Sequence, residues 1–264
     1  MPRDVWESGE SYESYVGRWS RLVARQFLPW LSPPRRATWL DVGCGTGAMS
    51  HTILETCDPE SVVGLDPSRG FVSLARLQTS DNRATFLVGD AQALGVKPAA
   101  VDVVVSGLVL NFVPDPARML DQAAGALRPG GLLGAYVWDY EGKMEMLRFF
   151  WDAASYVDPT MADLDEGRRF PMCRPEPLRA LISAADLDDV DVEGVEVSTT
   201  FAGFDEYWTP FLGGQGAAPA YLATLSEDQR VRIREHLRHT LPFEADDSIR
   251  LVARAWAAKG RRPD

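Results

Sequence analysis

A chain of 264 residues that is 45% hydrophobic can bury the core of one elaborated α/β domain without disulfide or metal staples. Its formal net charge of -11 makes nucleic acid a poor partner, because an acidic surface repels phosphate backbones. Cys44, Cys57 and Cys173 form no CxxC pair, so neither a disulfide framework nor a metal site is expected.

The polar start Met1-Pro2-Arg3-Asp4 lacks an apolar signal segment, and no stretch approaches the roughly 18 apolar residues of a membrane span. A cytoplasmic location with no membrane partner is therefore expected. Leu22, Val23 and Phe27 share one face of a helix over 20–28, and Pro29, Pro33 and Pro34 are expected to end it. The first strand is expected over 37–42, followed by a glycine loop at 43–47 and a helix to about 57. The second strand covers 61–65 and ends at Asp66, with Ser68 as the cap of the next helix. Strands follow at 84–88 and 101–105. Asp115-Pro116 is a cap and first-turn pair for a helix that stops at Arg128-Pro129-Gly130-Gly131. The fifth strand is expected at 132–137.

Beyond Trp138 this rhythm changes. Met144, Leu147 and Trp151 recur at helical spacing, and 140–173 reads as an insertion. A core helix is expected at 177–185. Val190, Val192, Val195 and Val197 form a strand whose alternation shifts phase at Gly194, as a bulge would produce. A second insertion spans 202–241, with the capping-box pattern Ser226-Glu227-Asp228-Gln229. Its arginines Arg230, Arg232, Arg234 and Arg238 read as a solvated helix face. Alternation at 249–256 supplies a last strand. The alternation of strand and helix predicts a mostly parallel α/β sheet.

Chemistry concentrates in Asp41-Val42-Gly43-Cys44-Gly45-Thr46-Gly47, between a strand and a helix. Glycines allow a sharp turn and close approach to a ligand, and the helix start offers free N–H groups. The pattern Gly43-x-Gly45-x-x-Ala48, with Asp66 downstream, also satisfies a dinucleotide fingerprint, so an NAD-dependent oxidoreductase stays open here. Gly89-Asp90-Ala91 after the third strand suits an adenine edge: the carboxylate accepts from the amino group and the next N–H serves a ring nitrogen. Ser106-Gly107 closes the fourth strand. Ligand contacts are thus expected at four strand ends.

In this combination the sequence resembles the class I S-adenosylmethionine (SAM)-dependent methyltransferases. The motifs that carry the resemblance are the D-x-G-x-G-x-G loop, Asp66-Pro67, Gly89-Asp90-Ala91 and the Arg-Pro-Gly-Gly turn. It covers about 37–138, and the segment Tyr12 to Ser20 is similar to one in the ubiquinone/menaquinone-type subset. The resemblance implies a Rossmann-like, seven-stranded sheet with an antiparallel last strand, helices on both faces and helical cap insertions. One domain over 1–264 is implied, with a helical segment at 1–36 and a cofactor-binding core at 37–139.

Position by position, the resemblance implies that Gly43, Cys44 and Gly45 approach the methionine part of SAM, with Asp41 and Gly47 also in the cofactor-binding loop. Asp66 would hold the ribose, with Pro67 near the adenine, and Asp90 and Ala91 would read the adenine edge. Ser106 and Gly107 would border the amino-acid end, where Arg18 would pair with the carboxylate and Tyr15 would lie nearby. The implied reaction is methyl transfer to a small organic acceptor at oxygen or carbon, and a SAM-binding protein without turnover is the other alternative. No catalytic base is assigned: His51 reads as structural in the helix after the glycine loop, and His236 and His239 read as surface histidines of the second insertion. Dense aromatics suggest Trp138, Trp151, Trp208 and Phe211 as acceptor contacts.

Overall fold

The computed structural model describes residues 17–213 and 216–264. Helix α1, Arg18–Leu31, leads into β1, Thr38–Val42, then α2, Ala48–Thr56, and β2, Ser61–Asp66. Helix α3, Arg69–Gln78, β3, Ala84–Val88, and β4, Val101–Gly107, follow. After α4, Pro116–Ala126, comes β5, Leu127–Trp138. The remainder holds α5, Glu145–Val157, α6, Pro175–Ser183, β6, Asp188–Phe201, α7, Ala217–Thr224, α8, Glu227–Thr240, and β7, Ile249–Arg261, with short helical turns between them.

The seven strands form one sheet in the order β3-β2-β1-β4-β5-β7-β6. Strands β3 to β5 pair in parallel. Strand β7 runs antiparallel to β5: Gly130 N–H donates to Arg262 O near one end of β5, and Asp139 N–H donates to Arg254 O beyond the other. Trp39 to Val42 in β1, Val103 to Ser106 in β4 and Leu132 to Trp138 in β5 are buried without alternation. Such runs occur where both faces of a sheet are covered. Edge strand β3 instead exposes four of its five residues in whole or in part.

Contacts divide the chain into two compact units. The first comprises Ser20–Val137, Arg174–Val195 and Ala255–Asp264. Its core packs α1 on β5, where a Cβ on Gly134 would meet Phe27 at 2.7 Å and Leu31 at 2.8 Å. The second holds Trp138–Cys173 and Glu196–Arg254, with 17–19. Its core is aromatic: Phe150 stacks on Phe211 at 4.6 Å, and Tyr207 lies 5.4 Å from both Phe201 and Phe211.

Most boundaries match the sequence expectation. Strand β5 starts at Leu127 rather than at 132, which puts Arg128-Pro129-Gly130-Gly131 inside the strand, and three further differences follow. Pro29 lies inside α1 rather than ending it, because a proline in the last turn removes only one intrahelical bond. The helix stops at Leu31, where Ser32 turns to φ 53 ahead of Pro33-Pro34. Strands β6 and β7 are also longer than their alternation suggested. Burial along β6 changes phase between Gly194 and Val195, the position where the alternation shifts.

Candidate functional site

The order of the sheet sets the location. From β1 the chain builds outward through β2 and β3, then returns to place β4 on the other side of β1. Strand ends at such a reversal leave a crevice for ligands. Four strand ends are tied together there, all within the first unit.

The glycine loop follows β1. Gly43 has φ 77, and a Cβ on it would lie 2.4 Å from Val109 Cγ2. Gly43 and Cys44 both donate their N–H to Leu65 O, at 2.7 and 2.9 Å, which closes the loop over the end of β2. Gly45 has φ 55 and donates its N–H to Asp66 Oδ2 at 3.0 Å. A Cβ on Gly45 would meet nothing within 4 Å, so this glycine faces open space. Gly47, at φ 93, caps α2 and returns its N–H to Cys44 O at 2.8 Å. The side chain of Cys44 packs inward with Val72, Ala75 and Phe86. Burial raises its thiol pKa well above normal, which leaves it unreactive and limits Cys44 to a backbone role.

Asp66 is the polar hub. Its Oδ1 accepts Ser68 N–H at 2.8 Å, and its main-chain oxygen accepts Gly89 N–H at 3.1 Å, which links the end of β3. Burial raises its carboxyl, while the N–H groups of Ser68 and Gly45 oppose the rise. Each carboxylate oxygen has two lone pairs, so each keeps one for a ligand hydroxyl. Asp90 is exposed and accepts Gln92 N–H at 2.9 Å, Ala91 is half-buried, and Pro67 is exposed. Ser106 donates to Val42 O at 2.9 Å and pins β4 to β1, while Gly107 makes room for the Tyr136 hydroxyl.

Asp41 is buried behind the loop. Its Oδ2 accepts the Ser50 hydroxyl at 2.6 Å, and its Oδ1 has no partner. Burial pushes its carboxyl up to about 7; the Ser50 hydrogen bond lowers it and the charge of Asp66 raises it further. The residues thus fit a nucleoside ligand. There is open space at Gly45, a carboxylate with spare acceptor capacity for a diol, and a helix start for the polar end.

Other expected site residues belong to the second unit. Arg18 Nη1 pairs with Glu206 at 3.0 Å, and its guanidinium lies over Trp19 and Phe201 at 4.7 and 4.8 Å. Its Nε and Nη2 are buried without a partner. Tyr15 lies outside the described residues. Trp138, Trp151, Trp208 and Phe211 are all buried. Trp151 donates its Nε1–H to Glu166, and Trp208 stacks on Phe204 at 6.1 Å, so three of the four are built into the aromatic core. Trp138 Nε1 has no partner. Sequence reasoning missed the loop after β4, where Leu108 turns to φ 64 and Val109 packs against Gly43.

A glycine loop at the reversal of a parallel sheet, latched to an acidic end of β2, marks a Rossmann-like fold. Residues 40–135 match the family described as "Methyltransferase domain". The malonyl-[acyl-carrier protein] O-methyltransferase of Xylella fastidiosa is 32% identical over 123 residues, 46% of this chain and 42% of that protein. The trans-aconitate 2-methyltransferase of Methylobacterium radiotolerans is 32% identical over 167 residues, 60% of each chain. These matches span only about half the length of the curated relatives.

In fold, the chain is similar to a Haemonchus contortus phosphoethanolamine N-methyltransferase 2, solved with phosphomonomethylethanolamine and S-adenosylhomocysteine. Its TM-score is 0.61 at 17% identity, covering 97% of this chain and 57% of that one. The [4+2]-cyclase SpnF gives a TM-score of 0.58 at 19% identity, covering 100% and 88%. Residues 40–135 thus match a methyltransferase domain, and the chain is similar to methyltransferases over that part.

Proposed function

We propose that this chain binds SAM at the ends of β1 to β4 and methylates a small organic molecule. The observation that carries the reading is the latch between Gly45 N–H and Asp66, beside the open face of Gly45. It holds a ribose-binding carboxylate against a loop that has no side chain in the way. SAM, when bound, supplies an activated methyl group on a sulfonium sulfur for in-line displacement. The protein's part is to orient the reactants and exclude water.

Asp66 takes the ribose hydroxyls, Asp90 and Ala91 the adenine edge beside Pro67, and Ser106-Gly107 border the amino-acid end. Arg18 offers Nε and Nη2 as a two-pronged edge for a carboxylate, the role its sequence position suggests. An oxygen acceptor is favoured over carbon, since one relative is named as an O-methyltransferase. Of the four aromatic candidates Trp138, whose Nε1 has no partner, remains the proposed acceptor contact. The acidic net charge favours a small molecule over nucleic acid, and the chain is proposed to work in the cytoplasm. Among the described residues no helix is long and apolar enough to cross a membrane.

Calorimetry with SAM, S-adenosylhomocysteine and NAD tests the reading. Wild type is expected to bind the first two, and Asp66→Ala to bind them about a hundredfold more weakly, as two charge-assisted hydrogen bonds disappear. Binding of NAD but neither adenosyl compound would overturn it in favour of an oxidoreductase.

A further inference from the structure

The loop after β4 contains the least explained polar side chain near the strand ends. Asn111 sits in the 3-10 turn Leu110–Phe112 and is only 8% exposed. Both its Oδ1 and its Nδ2 are buried without a hydrogen-bond partner. A carboxamide pays a desolvation penalty at both atoms, so leaving both empty needs a reason. Folding alone supplies none, because a leucine of similar volume would fill the space without the penalty.

The turn has a defined place. Leu108 enters it at φ 64, a conformation that disfavours a residue with a Cβ, and strain of this kind gathers at ligand sites. Val109 then fills the space left by the missing Cβ of Gly43, which seats the turn against the glycine loop. Within the turn Phe112 N–H donates to Val109 O at 2.8 Å and Val113 N–H to Leu110 O at 3.4 Å, and Leu108 N–H ties its entry to Tyr136 O of β5 at 2.8 Å.

We propose that Asn111 holds the methyl acceptor, and that the acceptor presents a donor and an acceptor atom on one edge, such as a hydroxyl beside a ring nitrogen or carbonyl. This inference rests on the methyltransferase reading above. A carboxylate satisfies only Nδ2 and an ammonium only Oδ1. An edge with one donor and one acceptor satisfies both. The cofactor's adenine edge and its ammonium–carboxylate end also pair a donor with an acceptor, but the proposed function gives the adenine edge to Asp90 and Ala91 and the carboxylate to Arg18, which leaves Asn111 for the acceptor.

The test uses the full chain saturated with S-adenosylhomocysteine. Its probes are 2-hydroxypyridine, which carries a donor and an acceptor on one edge, and N-methyl-2-pyridone, which lacks the donor. The side-chain amide signal of Asn111, assigned by its loss in Asn111→Leu, is expected to move with the first probe and not with the second. Asn111→Leu is expected to weaken 2-hydroxypyridine about tenfold or more, the loss of one to two hydrogen bonds. It should leave S-adenosylhomocysteine affinity within about twofold and the melting temperature unchanged or higher, as removal of an unpaired buried amide allows.

A lower melting temperature would make Asn111 structural and overturn the inference. So would a tenfold loss of S-adenosylhomocysteine affinity, which would make it a cofactor contact. An unmoved amide signal, or equal binding of both probes, would overturn it as well. If wild type fails to bind S-adenosylhomocysteine, the methyltransferase reading itself falls, and that outcome is separate from the others.

Discussion

Gly43 and Gly45 stand two positions apart and both have positive φ, yet substitution should affect them differently. Alanine at Gly43 meets Val109 and a left-handed backbone together, so Gly43→Ala is expected to lower stability by more than about 2 kcal/mol. At Gly45 only the backbone term applies, about 1 kcal/mol, because its Cβ direction is empty. Gly45→Ala should therefore remain folded in a urea titration while losing SAM affinity in calorimetry. Asp41 gives a pH signature. Its folded carboxyl lies at about 7 against 3.8 ordinarily, so the folded chain binds more protons between those values. The stability it contributes is fully present below about pH 4 and is lost as pH rises through about 7. Asp41→Asn is expected to flatten that fall, read as melting temperature at about pH 5 and about pH 8.

Among the elements, local chemistry decided the helix starts. Asp115 accepts Arg118 N–H at 3.0 Å at the start of α4, and Ser226 forms the full capping box of α8 with Gln229. Both were legible because a cap needs only neighbours in sequence. Ser226→Ala is expected to destabilise by about 1 kcal/mol in urea unfolding. The lengths of β6 and β7 were less legible. Their final residues are set by pairing partners far away in the chain, such as Arg262 with Gly130 and Gly131. Pro29 was misread for a related reason: packing of Phe27 and Leu31 on Gly134 carries α1 past it.

At the scale of the whole molecule, the chain builds two units with different cores. One buries mainly aliphatic residues on the sheet together with Trp39, Phe27 and Tyr136, while the other is held by aromatic rings packed around Phe150, Tyr207 and Phe211. Phe150→Ala is expected to cost about 3–5 kcal/mol, seen as a lower urea midpoint.

The sequence by itself determined the alternation of strand and helix, the glycine loop, the acidic ends of β2 and β3, and the resemblance to methyltransferases. These features depend on short-range spacing, and spacing is what a sequence displays. Only the tertiary structure decided that Cys44 turns inward, that Arg18 faces Glu206 and that Asn111 is buried without partners. Each of these outcomes depends on which distant segments surround a side chain and on the hydrogen bonds they leave unmade.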